Sequence, residues 1–261
     1  ESTDEAETIV GTTFRIANGN PVSIDTIQIR GNTKTRDKVI RRELEVSEGD
    51  TFSSAAIKDS KDNLSRLGYF KAVNIDPVNR GDDTMSLLVD VEETTTGAFS
   101  FGFAYSTEDG PMATTSLSEI NLFGQGLKAK GSIEYGPEKK NFNIDVEEPW
   151  FLDHNLTLGG RLYSLEKEEL YYTKKSRGGN LRLSYPLVER IRHYIIYTYD
   201  NVLGLSDIDP LYRPSLTEEE INGGLTSSIT NTLYRNTTND YFRPTRGSDL
   251  SATLEFAGLG G

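Results

Sequence analysis

The chain has 261 residues and carries 28 Lys+Arg against 40 Asp+Glu, a formal charge of -12. That balance excludes a surface built to neutralise nucleic-acid phosphates, and the absence of cysteine excludes disulfides, thiolate metal sites and cysteine nucleophiles. No stretch reaches the roughly 18 apolar residues of a membrane helix, but a transmembrane β-barrel stays open because only alternate residues of its strands face lipid.

The opening residues, ESTDEAETIV, lack the basic and apolar regions of a signal peptide. Residues 8 to 17 alternate Val10, Thr12, Phe14 and Ile16 with the strand period of two, and nothing N-terminal is there to pair with them. After a turn at NGNP, the run VSIDTIQIRGN predicts a second strand. TRDKVIRREL then sets Val39, Ile40 and Leu44 on one helical face, with Thr35 as the expected N-cap. A second helix from near Ser53 carries Ile57, Leu64 and Leu67 on one stripe. It stops at Gly68, which suits the left-handed position just past a helix, where a side chain would clash. Tyr69 and Phe70 open a strand through Val73 and Ile75, NRGDDT turns, and MSLLVDVEE returns. Residues 22 to 92 therefore spell β-α-α-β-β, a compact α+β module.

A boundary falls near residues 93 to 97, because from Gly97 onward the helical period gives way to the period of two. In AFSFGFAYS, Phe99, Phe101, Phe103 and Tyr105 share one face while Ser100, Gly102 and Ala104 share the other. LKAKGSIEY opposes Leu127, Ala129, Gly131, Ile133 and Tyr135 to Lys128, Lys130, Ser132 and Glu134. FNIDVE, LTLGGRLYS, NLRLSY, LTSSITNTL and LSATLEF continue the scheme. The strand near 112 to 120 alternates poorly, and residues 191 to 200 are aromatic on both faces, so neither face is assigned as inward.

About nine strands follow with no helix between them, many near the length a tilted membrane strand requires. Every second joint (NLFGQG, EPWFLDH, PLVER, DYFRPTRGS) lies on one side, and Phe123, Trp150, Phe151, Tyr241 and Phe242 there are expected to form an interfacial aromatic girdle. The longest loop, residues 203 to 223, falls on the other side. A soluble β-sandwich shares the alternation; the girdle and the uninterrupted hairpins favour the barrel. In a barrel, Lys128, Lys130, Glu134, Asp145, Glu147, Arg161, Arg182 and Glu255 line a polar lumen and pair across strands.

Catalytic chemistry finds little support. His154 and His193 lie on different segments without metal-ligand spacing, and no nucleophile elbow, P-loop or dinucleotide fingerprint occurs. Asp207, Asp209, Glu218, Glu219 and Glu220 read as solvated loop carboxylates rather than Ca²⁺ ligands. No cofactor, metal or catalytic residue is expected.

The module with RGNTKTRDKVIRREL, then LSRLGYFKAVNI, then VDVEE, resembles a polypeptide-transport-associated (POTRA) domain, of which GYF after the second helix is a recognisable feature. NLFGQG, EEPWF, LGGRLY and YFRPTRGS resemble the barrel of the BamA family of outer-membrane β-barrel assembly factors. The resemblance covers nearly the whole chain. It implies that residues 1–19 end a preceding POTRA domain, 20–95 form the last one, and 96–261 form the N-terminal part of a larger transmembrane barrel. The fold class is thus an α+β POTRA domain followed by an all-β antiparallel barrel, with the POTRA domain in the periplasm and the chain a fragment of a longer protein.

The functional element implied by the family is the first barrel strand. Ala98, Phe99, Ser100, Phe101, Gly102, Phe103, Ala104 and Tyr105 would pair with the strand of an unfolded outer-membrane client at a lateral seam, by β-augmentation. Gly97 and Gly102 withhold side-chain packing there. Strand pairing and burial in the lipid bilayer supply the driving force without ATP. Arg41 and Glu48 fall where the family binds a periplasmic accessory lipoprotein, Glu48 being placed to pair with a basic residue of that partner. The alternatives are a two-partner secretion translocation pore, a passive porin-like channel and a soluble α+β/β binding protein; an enzyme is not expected.

Overall fold

The computed structural model describes residues 21–81, 83–239 and 243–258; the strand expected at residues 8 to 17 lies outside them. The N-terminal module follows the expected order. Strand β1 (Ser23–Arg30) is followed by helices α1 (Asp37–Arg41) and α2 (Ser54–Arg66), then by β2 (Phe70–Gly81) and β3 (Thr84–Glu93). β3 is central, parallel to β1 and antiparallel to β2. Ile24 and Ile27 of β1, Val39 and Ile40 of α1, Leu64 of α2 and Leu87 and Val89 of β3 are almost fully buried in one core. Each such side chain contributes about 1.5–3 kcal/mol by leaving water.

Local signals account for the helix ends. Ser53 caps α2 by accepting from the Ala56 N–H, and Gly68 takes φ +74° just past its end, where a Cβ would be strained. Tyr69 and Phe70 are then buried against the core. α1 departs from expectation in two ways. The Ncap position is Arg36, with no side-chain cap bond, while the Thr35 hydroxyl accepts from Nδ2 of Asn121, 86 residues away, at 2.9 Å. The helix also ends at Arg41, because α2 captures the following backbone. Ser60 Oγ accepts from the Glu45 N–H at 2.8 Å and Asn63 donates to the Glu43 carbonyl at 3.2 Å, so Leu44 meets the core from a turn.

The remaining strands form one nine-stranded antiparallel sheet in strict chain order: β4 (Gly97–Ser106), β5 (Gly110–Leu122), β6 (Leu127–Tyr135), β7 (Lys139–Glu148), β8 (Thr157–Glu168), β9 (Thr173–Val188), β10 (Ile191–Ser206), β11 (Gly224–Asn236) and β12 (Asp249–Ala257). The register puts Lys128, Asp145, Glu147, Arg161 and Arg182 on one face, where they pair across strands. Lys128 meets Glu147 at 3.1 Å, and Asp145 receives both Arg161 at 3.0 Å and Arg182 at 2.8 Å. Ile144, Leu162, Leu181 and Tyr197 occupy the opposite face and are exposed.

The two ambiguous strands have physical explanations. In β10, Tyr197 and Tyr199 share the apolar face with Leu181 and Gly179, whereas Thr198 lies opposite Asn180 on the charged face. Tyr194 and Ile196 on that charged face are what hides the alternation. In β5 the register shifts between Glu119 and Leu122, and Ile120 turns away from the sheet to pack on the core of the N-terminal module. The long loop is not free of helix: α3 (Glu218–Asn222) is closed by a capping box in which Thr217 and Glu220 bond reciprocally.

Candidate functional site

β4 heads the sheet and pairs on one side only, with β5, from Gly97↔Glu119 to Ser106↔Gly110. No described strand lies against its opposite edge. Phe99, Phe101, Phe103 and Tyr105 line its apolar face at 62–81% exposure, Phe101 and Phe103 edge to face at 5.0 Å. Ala98, Ser100, Gly102 and Ala104 lie on the other face, where Ser100 Oγ and Ser116 Oγ share a hydrogen bond of 2.7 Å. A Cβ at Gly97 would come within 3.1 Å of the Glu119 carboxylate, while one at Gly102 would have ordinary room beside Thr114. The contact at Gly97 is with the end of a side chain, so backbone crowding requires glycine at neither position.

The start of β4 is anchored by a seat between the N-terminal module and two turns of the sheet. Thr94 N–H donates to the Tyr69 carbonyl at 2.9 Å and Ile120 N–H to the Thr96 carbonyl at 3.2 Å. In the first turn, Asn121 donates to Thr35 and accepts from the Gly126 N–H at 2.8 Å, and Arg36 N–H donates to the Gly124 carbonyl at 2.9 Å. Tyr69 is 2% exposed and its hydroxyl points at the Gly126 carbonyl at 3.5 Å; burial pushes its pKa up to about 12.

The second turn corrects the girdle expectation. Trp150 donates through Nε1 to Glu43 at 3.0 Å and lies under the Arg42 guanidinium at 5.5 Å, so it docks on the module instead of standing in an aromatic belt. Lys38 adds an ion pair to Asp153 at 2.7 Å. Phe123 is exposed, and Tyr241 and Phe242 lie outside the described residues. Sequence reading missed Thr35, Asn121 and Glu43 as joint residues. Their partners are 86 to 107 residues away, and no local pattern encodes such pairings.

Arg41 and Glu48 are brought together, but with each other. Their side chains meet at 3.4 Å; Arg41 donates to the Ile27 carbonyl at 3.0 Å, and Ile27 N–H donates to Glu48 at 3.0 Å. The pair therefore covers the free edge of β1. The Ile27 N–H, with Arg41 beside it, holds the Glu48 carboxyl below its ordinary value.

Comparison with known proteins matches this geometry. The family described as Omp85 superfamily domain matches residues 121–261, and the POTRA family, described as surface antigen variable number repeat, matches residues 22–94. Outer membrane protein assembly factor BamA of Nitratidesulfovibrio vulgaris is 30% identical over 254 residues, covering 97% of this chain and 32% of that protein. The factor of the same name from Neisseria meningitidis is 26% identical, covering 94% of this chain and 33% of that one. The chain thus spans about a third of the length of the curated relatives it matches. Among solved structures, BamA from Haemophilus ducreyi lacking POTRA domains 1-3 aligns at TM-score 0.68 and 22% identity, over 93% of this chain and 49% of that one. CdiB from Acinetobacter baumannii aligns at 0.59 and 14%, over 91% and 46%; both matches speak to the fold. The chain belongs to the Omp85 superfamily, with a periplasmic POTRA domain leading into β-barrel strands of the bacterial outer membrane.

Proposed function

We propose that the protein folds and inserts β-barrel clients into the outer membrane by strand addition at β4. The observation that carries this reading is the build of β4, the strand at the leading edge of the sheet, whose exposed aromatic face is suited to lipid and whose base is fixed to the POTRA domain. A client strand laid on that edge gains ladder hydrogen bonds while its apolar face enters lipid, where an unpaired backbone would be strongly disfavoured. No catalytic residue or cofactor is required. Relatives at 26–30% identity bear the name assembly factor, which favours this reading over a two-partner secretion pore or a porin-like channel.

A photo-crosslinker at Ser100 tests it in the full-length protein, in its membrane, during synthesis of a barrel client. Crosslinks to the client's C-terminal strand are expected. Their absence with the client expressed and the barrel folded would favour a secretion pore or channel.

Arg41 and Glu48 belong to the same proposal as the contact for a periplasmic accessory lipoprotein. Both stay nearly half exposed while covering the β1 edge, so a basic side chain of the partner has access to the Glu48 carboxylate. Glu48→Lys is expected to cut co-purification of the lipoprotein at least fivefold without altering the heat-modifiable gel mobility of the barrel. Undiminished co-purification would remove Glu48 from the contact.

A further inference from the structure

The lipid-facing wall is uneven. Between β7 and β10 it sinks into an open, largely apolar trough of about 820 Å³. Ile144, Leu162, Leu181, Tyr197 and Tyr199 form its sides, and Gly160 and Gly179 supply the floor where neighbouring strands carry large side chains. The depression is built in at Gly179, where a Cβ would come within 2.7 Å of the Arg161 carbonyl. At Gly160 the missing side chain leaves space, since a Cβ there would lie no closer than 3.7 Å to its neighbours.

One end of the trough is basic. Arg177 lines it and shares its face with Leu181 and Gly179, and among the described residues its guanidinium has no ion pair or hydrogen bond. One step further toward the extracellular end of the same face, Lys140 and Lys175 share the single carboxylate of Glu166, at 3.0 and 3.4 Å. Glu168, two residues beyond Glu166 on the same face, also lies beside Lys140, so the patch of Arg177, Lys140 and Lys175 carries one positive charge in excess. Arg177 is eleven residues from Val188 at the periplasmic end of β9, which for a tilted strand is a height of roughly 28 Å, at the outer boundary of an apolar band about 25 Å tall. The cations thus lie at headgroup level of the outer leaflet and the trough below them at acyl-chain depth.

We propose that this face binds a phosphorylated, multiply acylated lipid of the outer leaflet, of the lipid A type. Its phosphate meets Arg177 and Lys175, and an acyl chain lies in the trough over Gly160. Charge complementarity selects the anionic headgroup, and the glycine floor selects a chain rather than a flat bilayer contact.

The test is native mass spectrometry of the full-length protein in detergent, titrated with bis-phosphorylated lipid A, with dephosphorylated lipid A and with phosphatidylglycerol. One lipid A adduct should persist in the wild type. Its occupancy should fall at least fivefold in Arg177→Gln, which removes the headgroup contact, and in Gly160→Leu, which fills the trough. Both variants should keep heat-modifiable gel mobility, separating loss of binding from loss of fold. Equal occupancy in both variants, or equal binding of the dephosphorylated lipid or of phosphatidylglycerol, would overturn the proposal. The site is remote from β4, so neither result depends on the client-pairing reading.

Discussion

Glu93→Gln is expected to lower the protection of the loop at residues 33 to 35 by about 30-fold, on the order of 2 kcal/mol, because Glu93 accepts from the backbone N–H of all three residues. Its two carboxylate oxygens accept from the Thr33 N–H at 3.1 Å and hydroxyl at 2.7 Å, from the Lys34 N–H at 2.9 Å and from the Thr35 N–H at 2.6 Å. Gln keeps the shape but turns an NH₂ toward backbone donors, leaving at least one unpaired. Burial alone would raise the Glu93 pKa, but the Thr35, Thr33 and Lys34 donors outweigh it and hold the group at about 2, against an ordinary 4.5.

The sign follows from the depressed value. The folded state binds its proton more weakly than the unfolded chain does, so the stabilisation is complete above about pH 4.5 and is lost as pH falls toward 2. Wild-type protein should lose protection of these amides on acidification through that window, while Glu93→Gln should be weak and nearly flat across it. Hydrogen exchange resolved to residues 33–35 gives the answer. Equal protection in variant and wild type at neutral pH would show that the loop is held by something else, the leading candidate being the left-handed Gly31, whose Cβ would overlap the Val91 carbonyl oxygen.

Much of this architecture is legible without coordinates, and the reason is periodicity. Leu127 to Tyr135 carries one charge pattern on one face and one apolar pattern on the other, and the strand period leaves no second way to arrange them. Gly68 followed by Tyr69 and Phe70 is similarly local: a helix stop, then two core residues. The seat of the POTRA domain is different. Trp150 reads as a girdle residue because an aromatic at a barrel turn ordinarily sits in the interface, and only the arrival of Arg42 and Glu43 from the turn after α1 changes its role. Thr35 reads as a cap for the same reason, since the donor that claims its hydroxyl, Asn121, sits at the end of β5. α3 has no apolar periodicity, so the pattern Thr217-x-x-Glu220 is its only signal. Local rules succeed where neighbours in sequence are neighbours in space, and fail at the joint between domains.

That joint should yield to a single substitution. Gly124 has φ +68°, and a Cβ on it would overlap the Lys34 carbonyl oxygen, a backbone atom that cannot swing aside. Gly124→Val must therefore push the turn off the POTRA domain, breaking the Arg36–Gly124 backbone bond and pulling Asn121, itself 3% exposed, from Thr35. With buried Asn121 and Thr35 left unpaired, the lost docking free energy is about 2–4 kcal/mol. The second latch, Trp150 on Glu43, then remains as a hinge. Its strength depends on pH in the sense opposite to Glu93: burial raises the Glu43 pKa, with Arg42 and Trp150 opposing, so the docked state favours the protonated carboxyl and docking weakens as pH rises above about 4.5 through the raised value. Glu43→Gln keeps an acceptor for Trp150 Nε1 and should abolish that dependence. Paired spin labels at Lys58 in α2 and Glu189 in the β9–β10 turn report the outcome. A single narrow distance is expected in wild type, a broad distribution in Gly124→Val, and a narrow, pH-independent one in Glu43→Gln. A narrow distribution in Gly124→Val would mean that the Trp150 latch alone fixes the POTRA domain, and that the base of β4 is held from the second turn instead of the first.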